Sequence, residues 1–158
     1  YPEGTRNSVA SKKEVLESVY DYIKPTSNIL EFKKIAKKNQ IKITEANLLI
    51  DLEKDKKITK SELKEYILNP SIYIKELKDK KIIDNKTYED SLLLPLKFGT
   101  VSLASKTNAT IVPYGIRGKY KFFKNDLTIE FGKPFKVDNM TLEEANQKLK
   151  EIIINLTK

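Results

Sequence analysis

From Asn7 to Phe98 the chain contains no glycine, and all five glycines (Gly4, Gly99, Gly115, Gly118, Gly132) lie in the first few residues or after position 98. Glycine is the default residue where a backbone must take positive φ, so its distribution limits where tight turns and bulges are expected. The glycine-free stretch is dense in Lys, Glu, Ile and Leu, which favour helix or fit its apolar face. Two compositions therefore predict two structural units: a helical middle and a glycine-bearing C-terminal part.

The middle divides into four or five short helices. Lys12 to Ile23 places Val15, Leu16, Val19, Tyr20 and Ile23 on one face, and Pro25 stops it. Ile29 to Lys38 continues with Leu30, Phe32 and Ile35. Thr44 is placed to cap a helix carrying Leu48, Leu49 and Ile50. Thr59 or Ser61 opens a segment from Glu62 to Leu68, and Asn69-Pro70 ends it. Ser71 is expected to cap Ile72 to Lys80, and neither a repeat nor a low-complexity linker stands out.

Beyond position 98 the rhythm becomes α/β. A helix beginning near Phe98 should end over Ala104 to Asn108. Thr110 to Ile116 (TIVPYGI) is apolar and β-branched and predicts a buried strand. Lys119 to Phe123 is expected to extend as a second strand, with a turn at Asn125-Asp126. Leu127 to Phe131 alternates as a further strand, which Gly132-Lys133-Pro134 stops. Thr141, with Glu143 and Glu144 behind it, opens a helix carrying Leu142, Ala145, Leu149, Ile152, Ile153 and Leu156 at helical spacing.

The chemistry open to the chain is bounded by what it lacks. It has no histidine, so an imidazole general base must come from outside these 158 residues. Zinc sites built on imidazole or thiolate are excluded, because there is no cysteine either. The absence of cysteine fits a reducing, cytosolic setting. No apolar run approaches the roughly 20 residues of a membrane span, and no signal peptide is visible. The first residue is Tyr1, so the sequence is expected to begin inside a longer chain. A net charge of +8, mostly from lysine, suits an anionic partner: phospholipid headgroups, nucleic acid or a phosphorylated metabolite.

The opening Tyr1-Pro2-Glu3-Gly4-Thr5-Arg6 is the most informative short segment. Arginine supplies a forked donor for phosphate, the threonine hydroxyl adds a donor, and glycine allows close backbone approach. A carboxylate at Glu3 can orient the arginine or accept from a ligand hydroxyl. The competing description is a solvated turn with an ion pair.

Four elements in order carry a resemblance. YPEGTRN resembles the F-P-E-G-T-R-S motif of the 1-acyl-glycerol-3-phosphate acyltransferase family, shared with related lysophospholipid acyltransferases. Leu94 to Ala104 (LPLKFGTVSLA) resembles that family's P-F-K-x-G-A-x-x-L-A element. Ala109 to Ile116 resembles its V-P-I-V-P-V-x-I strand, and Ile129 to Phe135 its closing I-x-I-G-x-P-I element. The resemblance covers positions 1–7 and roughly 92–158.

The resemblance implies an α/β fold, the C-terminal part of a glycerolipid acyltransferase sheet with helices, into which residues 8–91 insert as a small all-α unit. It implies acyl transfer from acyl-CoA or an acyl carrier protein thioester to a lysophosphatidate-like acceptor at the cytoplasmic face of a membrane. No cofactor is implied beyond that co-substrate. Glu3, Gly4, Thr5 and Arg6 would hold the acceptor's phosphate and glycerol, with Arg6 as phosphate ligand and Glu3 as orienting carboxylate. Pro113 and its neighbours would line the substrate or acyl groove, and Lys97 could add charge near the phosphate. The family's H-x-x-x-x-D motif lies upstream of E-G-T-R, so no catalytic residue is assigned within this sequence. Tyr1 departs from Phe, and Asn7 from Ser.

The inserted part carries two further patterns. Asp51 to Glu62 (DLEKDKKITKSE) matches a calcium-binding helix-loop-helix at positions 1, 3, 5, 8 and 12, but Lys56 stands where the loop needs glycine. No metal ligand is assigned on that basis. Ile58 to Ile83 can also be laid out as a helix-turn-helix leading into a wing, with Lys75 as the obvious phosphate contact. These define the alternative function, a non-catalytic module binding nucleic acid, protein or calcium; nucleic acid is not the expected partner. The simplest arrangement is a small helical bundle with solvated lysine faces.

Overall fold

The computed structural model describes residues 7–118 and 126–157. Glu3, Gly4, Thr5 and Arg6 lie outside the described residues, as does the strand expected over Lys119 to Phe123. The chain divides between Leu94 and Pro95 into two compact units. Mixed helix with a small two-stranded sheet places it in the α/β class in the general sense only.

The N-terminal unit is all helix. A 3-10 turn at Val9–Ser11 leads into α1 (Lys13–Ile23), α2 (Ile29–Lys38), α3 (Ile43–Lys54), α4 (Lys60–Tyr66), α5 (Pro70–Asp79) and α6 (Asn85–Leu92). One continuous core runs through all of them, with Phe32, Ala36, Ile41, Leu49, Leu63 and Ile67 inaccessible to solvent. Removing a face of this kind from water contributes about 1.5–3 kcal/mol per large side chain. Helices this short are marginal alone and are held by that burial.

Three helix ends show how a segment without glycine turns sharply. Gln40, Lys56 and Lys81 each adopt left-handed backbone, with φ of 53°, 57° and 58°. At each, the following N–H reaches back to the carbonyl at the third position from the helix end: Ile41 to Ala36 at 3.0 Å, Lys57 to Leu52 at 2.9 Å and Ile82 to Leu77 at 2.9 Å. These are Schellman terminations, which glycine usually serves. Buried isoleucines follow (Ile41, Ile58, Ile83), and their packing holds the strained residue in place. The correspondence between the last two turns is a short internal repeat: Leu52 to Thr59 and Leu77 to Asp84 share a buried leucine, a left-handed lysine, a buried isoleucine and a capping residue. Relieving the strain should help. Lys81→Gly is expected to raise stability by about 0.5–1 kcal/mol, because the left-handed penalty of a side chain exceeds glycine's added unfolded-state entropy. A chemical denaturation midpoint that fell would contradict the assignment.

Several helix starts differ from expectation. Thr44 is not a cap: α3 begins at Ile43, and the Thr44 hydroxyl donates instead to the Ser91 carbonyl at 2.5 Å. The same hydroxyl accepts from Asn7 Nδ2 at 3.0 Å, and the Thr44 N–H donates to Asn7 Oδ1 at 3.3 Å. Thr44 thereby ties the entry of the unit to its exit. Ser71 lies inside α5, whose first residue is Pro70, because a proline loses nothing where the first N–H has no helical partner. Its hydroxyl donates to the buried Glu45 at 2.8 Å. Thr59 and Glu62 form the expected start of α4 as a reciprocal capping box.

The second unit is built from α7 (Gly99–Thr107), β1 (Tyr114–Arg117), β2 (Thr128–Phe131) and α8 (Leu142–Thr157). The strands pair antiparallel, Tyr114 opposite Phe131 and Ile116 opposite Ile129. An isolated bridge between Ile111 and Phe135 extends the pairing toward the strand ends. α7 ends on Asn108 in left-handed backbone, and Thr141 and Glu144 cap α8 reciprocally. The core here is small: Leu96, Val101, Ala104, Ile111, Ala145 and Leu149.

Candidate functional site

Alternation along residues 111–116 decides which way each side chain faces. Ile111, Pro113 and Gly115 are buried, whereas Val112, Tyr114 and Ile116 are exposed. The expected buried strand is therefore buried on one face only. That face lies under α8, where Leu156 approaches so closely that a Cβ on Gly115 would stand 2.7 Å from the Leu156 Cβ and 2.9 Å from its carbonyl oxygen. Pro113 sits on this packed side. Its carbonyl accepts from the Gly132 N–H at 2.8 Å, and a Cβ on Gly132 would lie 3.4 Å from its ring. Pro113 thus holds the hairpin's inner layer, while its neighbours Val112 and Tyr114 present the outer one.

Of the two arginines, Arg117 stands on β1 and forms an ion pair with Glu130 across the hairpin. Lys97 is exposed in the extended run before α7. Glu3, Gly4, Thr5 and Arg6, the four residues assigned to the phosphate, are not among those described.

The outer face of the hairpin went unnoticed in the sequence. Tyr114, Ile116, Ile129 and Phe131 form two cross-strand apolar pairs, with the Tyr114 and Phe131 rings 6.2 Å apart. Val112 and Leu127 extend the two rows by the same period. Their exposures run from 44% at Leu127 to 69% at Phe131, so none has a covering layer. The signal was available in the alternation Val-x-Tyr-x-Ile and Leu-x-Ile-x-Phe, but Ile111 and Pro113 add apolar groups on the inward side of the first strand, which made that run look buried throughout.

The stretch resembling a calcium loop takes a different form. Asp51–Lys54 remain in the last turn of α3, so the first ligand positions follow the helix and do not converge on a centre. Lys56 does adopt the left-handed backbone that a calcium loop gives to glycine. Glu62 is committed to its cap: the N–H and hydroxyl of Thr59 hold its carboxyl below the ordinary value. Lys60 donates to the Tyr22 carbonyl at 2.7 Å and lies 3.8 Å from the centre of the Tyr22 ring, while Asp51 pairs with Lys54. The lysines that weaken a dication site are thus structural in this fold. No cluster of three or more metal-ligating side chains forms among the described residues.

The wing of the helix-turn-helix layout is replaced by helix. Lys80 to Ile83 form the third Schellman turn, and Asp84 caps α6 through the Thr87 N–H at 2.7 Å, which draws the Asp84 carboxyl below its usual range. No strand occurs in residues 7–94. Among the described residues no helix is long and apolar enough to cross a membrane. Comparison with protein-family models, curated proteins and solved structures finds no match to this chain.

Proposed function

We propose that this chain supplies the acceptor-phosphate site and part of the sheet of an acyltransferase that moves an acyl group from a thioester to a lysophosphatidate-like acceptor. The supporting observation is the order of four motif elements: Glu3 to Arg6, Leu94 to Ala104, Ala109 to Ile116 and Ile129 to Phe135. Residues 95–135, which hold nearly all of the last three elements, belong to the second compact unit, where Gly115 and Gly132 make close approaches to α8. A phosphate monoester needs a forked, permanently charged donor, and Arg6 in E-G-T-R offers one.

The division of labour follows from the resemblance and from the residue types in E-G-T-R. Thr5 and Arg6 bind and orient the acceptor, and Glu3 orients the Arg6 guanidinium or accepts from a glycerol hydroxyl. An imidazole that takes the proton from the attacking hydroxyl, as the resemblance implies, would lie outside these residues, because the chain has no histidine. The acyl carbon then gains the acceptor oxygen and loses the thiolate, with no redox change.

The test uses a chain that includes an H-x-x-x-x-D motif and follows acyl transfer to lysophosphatidate. Arg6→Ala is expected to raise the acceptor's Michaelis constant about 10- to 100-fold, the loss of one charge-assisted phosphate contact. The Michaelis constant for the thioester should barely change. An unaltered acceptor constant removes Arg6 from the site, and absence of transfer in the parent enzyme overturns the function.

A further inference from the structure

We propose that the outer face of α2 docks onto the phosphate backbone of a duplex nucleic acid, without reading its sequence. The helix is two-sided. Phe32 and Ala36 are inaccessible to solvent on its inner face, whereas Leu30, Lys33, Lys34, Lys37 and Lys38 are all exposed. At the helical period those five positions fall within an arc of about 140°, with Lys33 and Lys37 in one row and Lys34 and Lys38 in the next. Charge is concentrated there. α2 holds four lysines and one acid, while the rest of residues 7–94 holds fourteen lysines and fourteen acids. The whole positive excess of the helical unit therefore sits on a single helix. Elsewhere in that unit lysines are engaged: Lys42 and Lys54 pair with carboxylates, Lys60 donates to the Tyr22 carbonyl, and Lys78 lies over the Tyr88 ring. Among the described residues none of the four α2 lysines has such a partner. The helix dipole accounts for Lys37 and Lys38 in the last turn, but not for Lys33 and Lys34 one turn earlier.

The makeup of the face selects the occupant. Lysine is a point charge suited to phosphate, and two rows with Cβ atoms about 5–6 Å apart on a rigid helix match a polyanion whose charges are fixed in a line. A lipid surface calls for apolar or aromatic groups that enter the headgroup boundary, and Leu30 is the one apolar side chain of the five. A protein interface is depleted of lysine at its centre. Single strands are held by stacking on exposed aromatic rings, and the one ring of α2, Phe32, is buried. The face carries none of the planar forked side chains, arginine, asparagine or glutamine, that grip a base edge, so its contacts go to phosphates. DNA and RNA duplexes share that chemistry. None of the residues in the acyltransferase motifs takes part.

Fluorescence anisotropy of the full chain with short labelled DNA and RNA duplexes tests the proposal. Binding to either duplex supports it, and that binding is expected to weaken as salt rises, with a slope set by the phosphates neutralised. The combined variant Lys33→Gln, Lys34→Gln, Lys37→Gln, Lys38→Gln should bind at least about tenfold more weakly and flatten the salt slope by about 3–4, with its helical melting preserved because glutamine keeps the helix propensity of lysine. Single substitutions, each removing about one unit of slope, give the same reading without depending on the fold of the combined variant. Arginine at all four positions keeps the charge and should bind like the parent. The set Lys64→Gln, Lys75→Gln, Lys80→Gln, Lys86→Gln removes equal charge from exposed positions outside α2, and should cost no more than about threefold. Absence of duplex binding at low salt, equal losses from the two glutamine sets, or tighter binding to phosphatidylglycerol vesicles or polyglutamate than to either duplex would each overturn the assignment.

Discussion

Phe32→Ala should destabilise the helical unit by about 3–5 kcal/mol, the cost of deleting a fully buried ring and leaving a cavity. Phe32 has no solvent exposure, and its ring centre lies 6.0 Å from that of Tyr20, across the α1–α2 packing. Neighbouring side chains come from short helices already held by caps and Schellman turns, so they have little freedom to collapse into the space. The helical circular dichroism signal should melt roughly 10 °C or more below the parent. Phe131→Ala is the matched control: its ring is 69% exposed, and the change should stay within about 0.5 kcal/mol. Similar losses from both phenylalanines would refute the assigned burial. The contrast also separates a closed core from a bare sheet face using one residue type.

Gly115→Val is expected to cost about 1–3 kcal/mol, because the new side chain must enter space that α8 already occupies. Two of the three nearest atoms to a Cβ there belong to the backbone of Leu156, which cannot swing aside as a side-chain tip could. The helix must lift from β1 or the strand must bend, and either loosens the layer that holds Pro113. Gly99→Ala should be close to neutral, since a Cβ on Gly99 meets nothing within 4 Å. Gly132→Ala should fall between them, its nearest neighbour being a side-chain atom, Ile152 Cγ2 at 2.7 Å, and not backbone. Thermal unfolding of the three variants checks the ranking. If Gly115→Val were as stable as Gly99→Ala, the close packing of α8 on the hairpin would be wrong.

Local chemistry explains why some elements were legible and others were not. Helix α2 occupies the residues predicted for it, although of the series Leu30, Phe32 and Ile35 only Phe32 is fully buried and Leu30 stands exposed. Of the two caps the sequence offered for α4, Thr59 and Ser61, the structure selects Thr59, whose capping box with Glu62 closes within four residues. Thr44 and Ser71 have the same chemistry as caps, yet a carbonyl from Ser91 and a carboxylate from Glu45 compete successfully for their hydroxyls. Those partners are 47 and 26 residues away, beyond any local window. Helix α6 was hidden by its composition, since Asn85–Leu92 is polar and its start depends on Asp84 receiving the Thr87 N–H.

The missing glycines mark the same boundary between local and distant causes. Their absence from Asn7 to Phe98 predicts a helical unit, and residues 7–94 contain helices and turns with no strand. It does not predict that Gln40, Lys56 and Lys81 take left-handed backbone, because that strain is offset by isoleucines packing into a core assembled from six helices. Periodicity and capping residues act over a few residues, so the sequence alone indicates most of the helices, and the zero-histidine count excludes an imidazole base within these residues. Which face of the β1–β2 hairpin is covered depends on α8 closing over Gly115 and Gly132 from more than 20 residues away, and only the folded arrangement assigns it.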